Sequence, residues 1–225
     1  MVAILANIFW RALTGSQAHL GEGTPRIKRF RRGFPAMIGF DDPAAPDFPA
    51  LAPFCDPGER FYCAEWRGPE PAGWKLEVDA LMCAMAWRGD LPPADDSVPI
   101  LRLEERHVSE MLAIADRCKP GPFARKPMEI GQWYGILEGD RVVAIAGERL
   151  HAHPYREVSG ICTLPEYQGR GYARRLTHHV MRAQLARGFT PFLHVASANA
   201  AARKLYEGMG FVVDQEVAMR VVSLR

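Results

Sequence analysis

The sequence predicts an α/β fold with a mixed sheet, and three observations support that prediction. From residue 100 onward, apolar residues recur with helical spacing in some segments and with strand spacing in others. A loop with two glycines, residues 168–171, follows a predicted strand and precedes a predicted helix. The composition over 225 residues, 48% hydrophobic and 24% charged, is typical of a globular protein with a buried core.

The charge and the cysteine content narrow the possible functions. Lys and Arg number 28 and Asp and Glu number 26, so the net charge of +2 is too small to indicate a nucleic-acid partner. Five cysteines without a C-x-x-C pair cannot complete an intrachain disulfide set, which favours a reducing compartment. The apolar residues 1–10 lack the flanks of a signal peptide, and no apolar run has the length of a membrane span. We therefore expect a cytoplasmic protein that binds neither nucleic acid nor membrane.

Residues 1–98, the N-terminal region, have the pattern of an irregular α+β segment. Five prolines between residues 43 and 57, and two more in the segment 68–73, exclude a long helix there. Short strand-like runs occupy residues 61–66 and 76–86. Residues 91–99 contain three prolines and two aspartates and are typical of a linker. We predict a domain boundary near residue 98.

Residues 99–225, the C-terminal region, contain regularly spaced elements. In chain order they are a strand at 100–103, a helix at 105–118, strands at 133–137, 142–146 and 157–163, a helix at 172–187, a strand at 192–195, a helix at 199–207, and one or two strands within 211–222. Turn and cap residues separate them, including the hairpin turn Glu138-Gly-Asp-Arg and the helix-terminating Gly188. This alternation predicts an α/β domain of mixed strand order.

The glycine loop, residues 168–171, is a candidate anion site. Backbone N–H groups at the start of a helix have no partner within the helix, and the helix dipole places positive charge there. Gly169 and Gly171 let the backbone approach an anion, and Ala173 keeps the first helical turn open. The segment lacks residues that the dinucleotide-binding fingerprint requires, and it also lacks residues that the P-loop motif requires. A plain strand-to-helix turn is the alternative interpretation.

The pattern Gln-x-x-Gly-x-Ala, from Gln168 to Ala173, resembles the acetyl-coenzyme A signature of the GNAT superfamily of N-acetyltransferases. The tripeptide Pro165-Glu-Tyr and the block from Asn199 to Phe211 are similar to further parts of the same family. The resemblance covers residues 100–223, and residues 121–150 look like the branch that contains glycine N-acyltransferase-like proteins. It implies a GNAT-type acyl-CoA N-acyltransferase fold for the C-terminal region. The N-terminal region is then an addition of unknown role, for which a degenerate acyltransferase-like half is one interpretation.

The resemblance also implies roles for single residues. The backbone of Ile161, Cys162 and Thr163 would pair with the pantetheine arm, in a gap where this strand and the next splay apart. Gln168 begins the predicted cofactor-binding segment, and the N–H groups that would hold the pyrophosphate belong to Gly169, Arg170, Gly171, Tyr172, Ala173 and Arg174. Asn199 would contact the coenzyme near its amide groups, or serve mainly as a helix N-cap. Tyr206 would protonate the departing thiolate, or pack in the core with its hydroxyl at the edge.

Glu157 is the predicted general base. Direct transfer needs a neutral amine, and a carboxylate beside the splayed strands can take its proton, directly or through water. Glu157 precedes Thr163 by six residues, and the two-residue period of a strand places both side chains on one face. Glu148 is the competitor for this role. A salt bridge from Glu157 to Arg149 or Arg156 is the structural alternative.

These observations predict an N-acetyltransferase that moves an acetyl group from acetyl-CoA to a primary amine by direct attack. The acceptor would be a small-molecule amine, an amino acid or a peptide, and a homodimer is compatible with the sequence. Two alternatives stay open, an amino-acid N-acyltransferase that uses another acyl-CoA and a non-catalytic CoA-binding module. No metal site is predicted, since His151 and His153 have no third ligand in the pattern.

Overall fold

A mixed sheet forms the centre of the computed structural model, which describes residues 3–225. Within these residues the eleven strands are β1 (Gly21–Gly23), β2 (Ile27–Phe30), β3 (Met37–Phe40), β4 (Arg60–Ala64), β5 (Trp74–Trp87), β6 (Leu101–Arg102), β7 (Trp133–Glu138), β8 (Arg141–Ala152), β9 (Tyr155–Thr163), β10 (Thr190–Ala196) and β11 (Phe211–Leu224). The α-helices are α1 (Ile8–Thr14), α2 (Phe48–Leu51), α3 (Val108–Cys118), α4 (Tyr172–Leu185) and α5 (Ala200–Glu207). The predicted α/β class with a mixed sheet is confirmed.

In the N-terminal region, β1 to β3 and both helices were not predicted. In the C-terminal region, the main difference from the predicted elements is the length of β8. Its predicted apolar run ends at residue 146, but the strand continues to Ala152 and pairs with the start of β9. The charged residues Glu148 and Arg149 interrupt the apolar pattern, and both form ion pairs, with Glu148 buried and Arg149 mostly buried. Because of these two charged residues, the second half of this strand could not be predicted from the apolar pattern. Residues 1 and 2 of the apolar opening segment lie outside the described residues.

The strand order is β1-β2-β3-β4-β11-β5-β10-β9-β8-β7-β6. The two long strands at its centre, β5 and β11, are antiparallel to each other. β5 belongs to the N-terminal region but pairs with β10, whereas β11 belongs to the C-terminal region and pairs with β4. Each region thus places its last strand next to the other region. The boundary near residue 98 stays a prediction, and hydrogen-bonded strands from both of its sides alternate at the centre of the sheet.

Helices with one apolar face cover this sheet. α4 buries Leu176, Val180 and Met181 against β7 to β10, as its 3.6-residue spacing predicts. α1 packs against both β3 and β8, and therefore bridges the two regions. The Gln17 side chain, just after α1, donates to the Arg149 carbonyl at 2.8 Å and accepts from the His151 N–H at 2.9 Å. No helix within residues 3–225 combines the length and apolar composition of a membrane span.

A gap opens between β9 and β10. The two strands pair in parallel at three positions, which end with Glu157 opposite Phe192. Both strands continue beyond this point, β9 to Thr163 and β10 to Ala196. Their facing backbone groups are therefore not used by the β9–β10 ladder. This divergence agrees with the splayed strands that the family resemblance implies, and it positions the candidate site.

Candidate active site

A bulge in β9 determines which side chains face the gap. Ser159 is opposite Gly147 and Cys162 is opposite Ile145, so β9 contains one residue more than β8 across this stretch. Gly160 lies in the bulge with φ of +62°, a conformation that favours glycine. The extra residue reverses the alternation, so Glu157 and Thr163 lie on opposite faces of the strand. The shared face predicted from their spacing is wrong.

Replacing Gly160 by alanine is expected to destabilise the bulge. A Cβ at this position would lie 2.5 Å from the buried Trp133 ring. Gly139 is a matched control, since it has φ of +61° and open space where a Cβ would lie. We expect Gly160→Ala to lower the free energy of unfolding by about 1 to 2 kcal/mol more than Gly139→Ala. Equal losses in urea denaturation would show that the Trp133 contact is unimportant.

The glycine loop forms an open cradle of backbone N–H groups. Gly169 and Gly171 have φ of +79° and +78°, and Gly171 is the N-cap of α4. The backbone N–H of Arg175 donates to the Gly171 carbonyl at 3.1 Å, and the three preceding N–H groups of α4 have no carbonyl within the helix to bond. These groups can bind a phosphate. The loop borders a cleft of about 820 Å³, the loop cleft, whose wall also includes Ile161, Thr163 and Arg174.

Side chains of the loop hold it in place. Gln168 donates from Nε2 to the Thr163 carbonyl at 3.3 Å, which ties the loop to the end of β9. The Arg170 guanidinium lies 5.0 Å from the Tyr167 ring centroid. The Tyr172 hydroxyl donates to Glu138, and this hydrogen bond raises the pKa of Tyr172. The small side chain of Ala173 also borders the cleft. All seven predicted residues of the segment therefore lie at or beside the cradle.

The residues predicted along the coenzyme arm lie around the gap. Ile161 borders both the loop cleft and a second cavity, described below. Cys162 is buried, and burial raises the pKa of its thiol, so the side chain is a poor nucleophile. Asn199 accepts the Ala202 N–H at 3.0 Å and is the N-cap of α5, whereas its contact with the coenzyme stays a prediction. Asn199 also borders the second cavity.

A cavity of about 400 Å³, the central cavity, lies at the gap where the two regions meet. Phe9, Met37 and Met82 of the N-terminal region contribute apolar side chains to its wall. Tyr206 borders it from α5, with its ring 6.1 Å from the Phe211 ring. Burial raises the pKa of Tyr206 to about 12, and its hydroxyl therefore stays protonated at neutral pH. The role of Tyr206 as a proton donor stays a prediction.

Glu157 is enclosed in a buried network. It is 0% exposed, and its two oxygens accept from Arg149 Nε at 2.8 Å and Nη2 at 2.7 Å. A third bond joins its Oε1 to His194 Nδ1 at 2.8 Å. Burial alone would raise the pKa of Glu157, but Arg149 and His194 outweigh that effect and lower it to about 2. The carboxylate is therefore ionised and paired, which is the salt-bridge alternative for this residue.

Glu148 is enclosed in a second network. It is 1% exposed, forms an ion pair with Arg156, whose Nε lies 2.9 Å from its Oε2, and accepts the Gln132 N–H at 2.9 Å. Arg187 pairs with its other oxygen. Neither glutamate considered as a base is open to the central cavity. His194, which was not among the predicted site residues, borders that cavity. A histidine within the otherwise apolar strand Phe192–Val195 was the signal that could have identified it.

Comparisons with known proteins agree with this architecture. The family model described as FR47-like protein matches residues 133–221. The N-alpha-acetyltransferase RimI of Mycobacterium tuberculosis is 37% identical over 109 residues, which cover 47% of this chain and 66% of that protein. The match therefore leaves about a third of that relative uncovered. A GCN5-related N-acetyltransferase from Kribbella flavida, 15% identical, has the same fold with a TM-score of 0.62 over 98% of this chain and 96% of that one.

A crystal structure from Novosphingobium aromaticivorans, described as an acetyltransferase of the GNAT family, matches both regions. It superposes with a TM-score of 0.88 and is 31% identical over 98% of each chain. The superposed residues include the N-terminal region with its strand β5, which pairs with β10 of the C-terminal region. The family predicted from the glycine loop is thus found over the complete architecture, and this chain belongs to the GNAT family and is an acyltransferase.

Proposed function

We propose that this protein transfers an acetyl group from acetyl-CoA to a primary amine by direct attack. The observation that carries the proposal is the gap between β9 and β10, which joins the phosphate-binding cradle to the central cavity. An extended molecule with phosphates at one end and a thioester at the other fits this geometry. Bound acetyl-CoA would supply the activated acetyl group.

The chain's own residues would act at three points. The N–H groups from Gly169 to Arg174 would hold the pyrophosphate, and the open backbone of residues 161–163 would pair with the pantetheine amides. Holding amine and thioester together supplies much of the rate enhancement in such reactions. Tyr206 would give its proton to the departing sulfur, since its raised pKa keeps the hydroxyl protonated until that moment.

An α-amino group is the first acceptor class to test. The mycobacterial relative is named an N-alpha-acetyltransferase, which supports this choice without naming a substrate for this chain. Thiol release from acetyl-CoA should be screened over amino acids, peptides with a free α-amino group, polyamines and aminoglycosides. Turnover confined to amines that have no α-amino group would overturn the preference.

The size of the transferred acyl group depends on the wall of the central cavity. The central cavity has an apolar wall, formed by Phe9, Met37, Met82 and Met219. Such a wall could accommodate a larger acyl group, and it therefore favours the alternative of an amino-acid N-acyltransferase. Comparing acetyl-CoA with benzoyl-CoA and longer acyl donors separates the two. A higher kcat/KM for benzoyl-CoA would replace acetyl transfer by this alternative and would support the glycine N-acyltransferase-like branch.

We further propose that residues 1–98 are a degenerate acyltransferase-like half. In both regions three antiparallel strands are followed by a strand that is parallel to the third, β1-β2-β3 with β4 and β7-β8-β9 with β10. The pairing of the two central strands supports the same idea. β5 of the N-terminal region pairs with β10, and β11 of the C-terminal region pairs with β4, so each region's part of the sheet is completed by a strand of the other region. In this proposal the N-terminal region supplies part of the acceptor wall. The cytoplasmic location and a homodimer stay predictions.

Calorimetry of CoA binding tests the proposed function. Gly171→Ala places a methyl group at the cradle, whereas Gly188→Ala places one at the end of α4, where φ is +77° and the surroundings are equally open. Both changes add similar backbone strain, about 1 kcal/mol. We expect wild type to bind CoA saturably, Gly171→Ala to bind at least tenfold more weakly, and Gly188→Ala to bind like wild type. Absence of saturable binding by wild type would contradict the proposal.

A further inference from the structure

The proposed reaction needs a proton acceptor that faces the central cavity. The titratable side chains on the wall of this cavity, within residues 3–225, are Tyr62, Cys118, Lys119, Arg149, His194 and Tyr206. Lysine and arginine side chains carry their protons at neutral pH, and tyrosine hydroxyls and cysteine thiols keep theirs. A neutral imidazole is the one group of this set with a nitrogen lone pair that is basic enough to take a proton at neutral pH. His194 is therefore the side chain to consider.

The hydrogen bond from His194 to Glu157 determines which ring nitrogen carries the proton. The ionised Glu157 carboxylate can only accept hydrogen bonds, so the Nδ1 that lies 2.8 Å from it must carry a hydrogen. In a neutral ring, Nε2 then holds the lone pair. Arg149 keeps Glu157 ionised through two hydrogen bonds, at 2.8 and 2.7 Å. The network thus sets one tautomer of His194.

Packing holds the ring in position. The His194 side chain is 2% exposed, and the rings of Phe9 and Phe192 lie edge-on to it at 5.8 and 5.7 Å. Phe192 precedes it in β10, whereas Phe9 comes from α1 in the N-terminal region. Both regions therefore orient the same imidazole. Such a fixed ring is suited to proton transfer, because its nitrogen does not have to reorient during the reaction.

We propose that His194 is the general base of the reaction and that Glu157 is its positioning residue, an inference that rests on the proposed function. As the amine nitrogen bonds to the thioester carbon, its proton passes to His194 Nε2, directly or through a water. The carbon–sulfur bond breaks and the sulfur takes the Tyr206 proton. The imidazolium, stabilised by Glu157, then returns a proton to Tyr206. The products are the acylated amine and the free thiol of CoA, and both side chains regain their starting protonation states.

Two variants test the catalytic role of His194. His194→Ala removes the ring, and His194→Gln keeps an amide that can donate to Glu157 but cannot act as a base. We expect both to bind CoA within twofold of wild type and to lose at least tenfold in kcat with the best acceptor among glycine, an alanyl peptide and spermidine. Added imidazole should restore activity to His194→Ala but not to His194→Gln, whose side chain fills the space. Wild-type kcat in either variant would overturn the inference.

Nitrogen NMR of histidine-labelled protein tests the positioning role of Glu157. We expect His194 of wild type to show the tautomer with hydrogen on Nδ1, and Glu157→Gln to show a mixture of tautomers. Hydrogen on Nε2 in wild type would overturn the inference even if the alanine variant fails to fold. The proposed function has separate outcomes, because it fails when wild type neither binds CoA nor releases thiol. The inference alone fails when wild type does both and the His194 variants match it.

Discussion

Replacing Glu157 by glutamine is expected to lower the free energy of unfolding by about 3 to 5 kcal/mol. The carboxylate is 0% exposed and neutralises Arg149, whose side chain is 12% exposed. The amide of glutamine has one oxygen in place of two, so it cannot accept both guanidinium hydrogen bonds in the same geometry. It also leaves the Arg149 charge uncompensated in the interior. Urea unfolding at neutral pH measures the loss.

The matched control is Glu166→Gln. Glu166 also receives two hydrogen bonds from one arginine, Arg117, each at 3.0 Å, but its side chain is 42% exposed. Ion pairs at the surface typically contribute less than about 1 kcal/mol. The control should therefore lose less than about 1 kcal/mol. Similar losses in Glu157→Gln and Glu166→Gln would contradict the importance of the buried pair.

The same carboxylate makes stability depend on pH in the acid range. Its pKa is about 2 in the folded protein, against an ordinary value of 4.5. A depressed pKa means that the unfolded chain binds the proton more readily, so stability is fully present above pH 4.5 and decreases as the pH falls towards 2. The difference corresponds to about 3 kcal/mol. Glu157→Gln should lack this part of the acid dependence, which unfolding curves at several pH values would reveal.

Replacing Tyr206 by phenylalanine is expected to lower kcat about 100-fold while CoA affinity changes less than twofold. The ring would keep its place beside Phe211, at the edge of the central cavity. What is lost is a hydroxyl whose pKa, about 12, keeps its proton available for the departing sulfur. Steady-state kinetics of thiol release together with calorimetry separate the two quantities.

Tyr134→Phe is the control for loss of a tyrosine hydroxyl. Tyr134 lies on β7, its hydroxyl donates to Gln132 at 2.7 Å, and its ring packs against His179. It borders neither the central cavity nor the loop cleft. Removal of the hydroxyl should affect stability slightly and leave kcat near the wild-type value. Equal losses of turnover and CoA affinity in Tyr206→Phe would instead assign Tyr206 to packing.

The conformation of the glycine loop could be predicted because its parts are neighbours in the chain. Gly169 and Gly171 supply the left-handed backbone, and α4 supplies free N–H groups within the next three residues. Local structure of this kind depends on residue types at adjacent positions, which a sequence displays directly. The same reason explains why the N-cap role of Asn199 and most boundaries of the C-terminal elements could be predicted.

The network around Glu157 could not be predicted in this way. Arg149, Glu157 and His194 lie on β8, β9 and β10, and their contacts depend on the register of three strands. The bulge at Gly160 reversed the alternation from which the orientation of Glu157 had been inferred. A single inserted residue has this effect because side chains alternate with a period of two.

The amino-acid sequence by itself determined the α/β class, the family and the position of the glycine loop, because these depend on local spacing and short motifs. Only the tertiary structure decided how residues 1–98 take part. The pairing of β5 with β10 and of β11 with β4 brings Phe9 and Met219 to one cavity, although they are separated by most of the chain. Long-range strand pairing depends on which faces can be buried together, and that is settled only when the complete sheet forms.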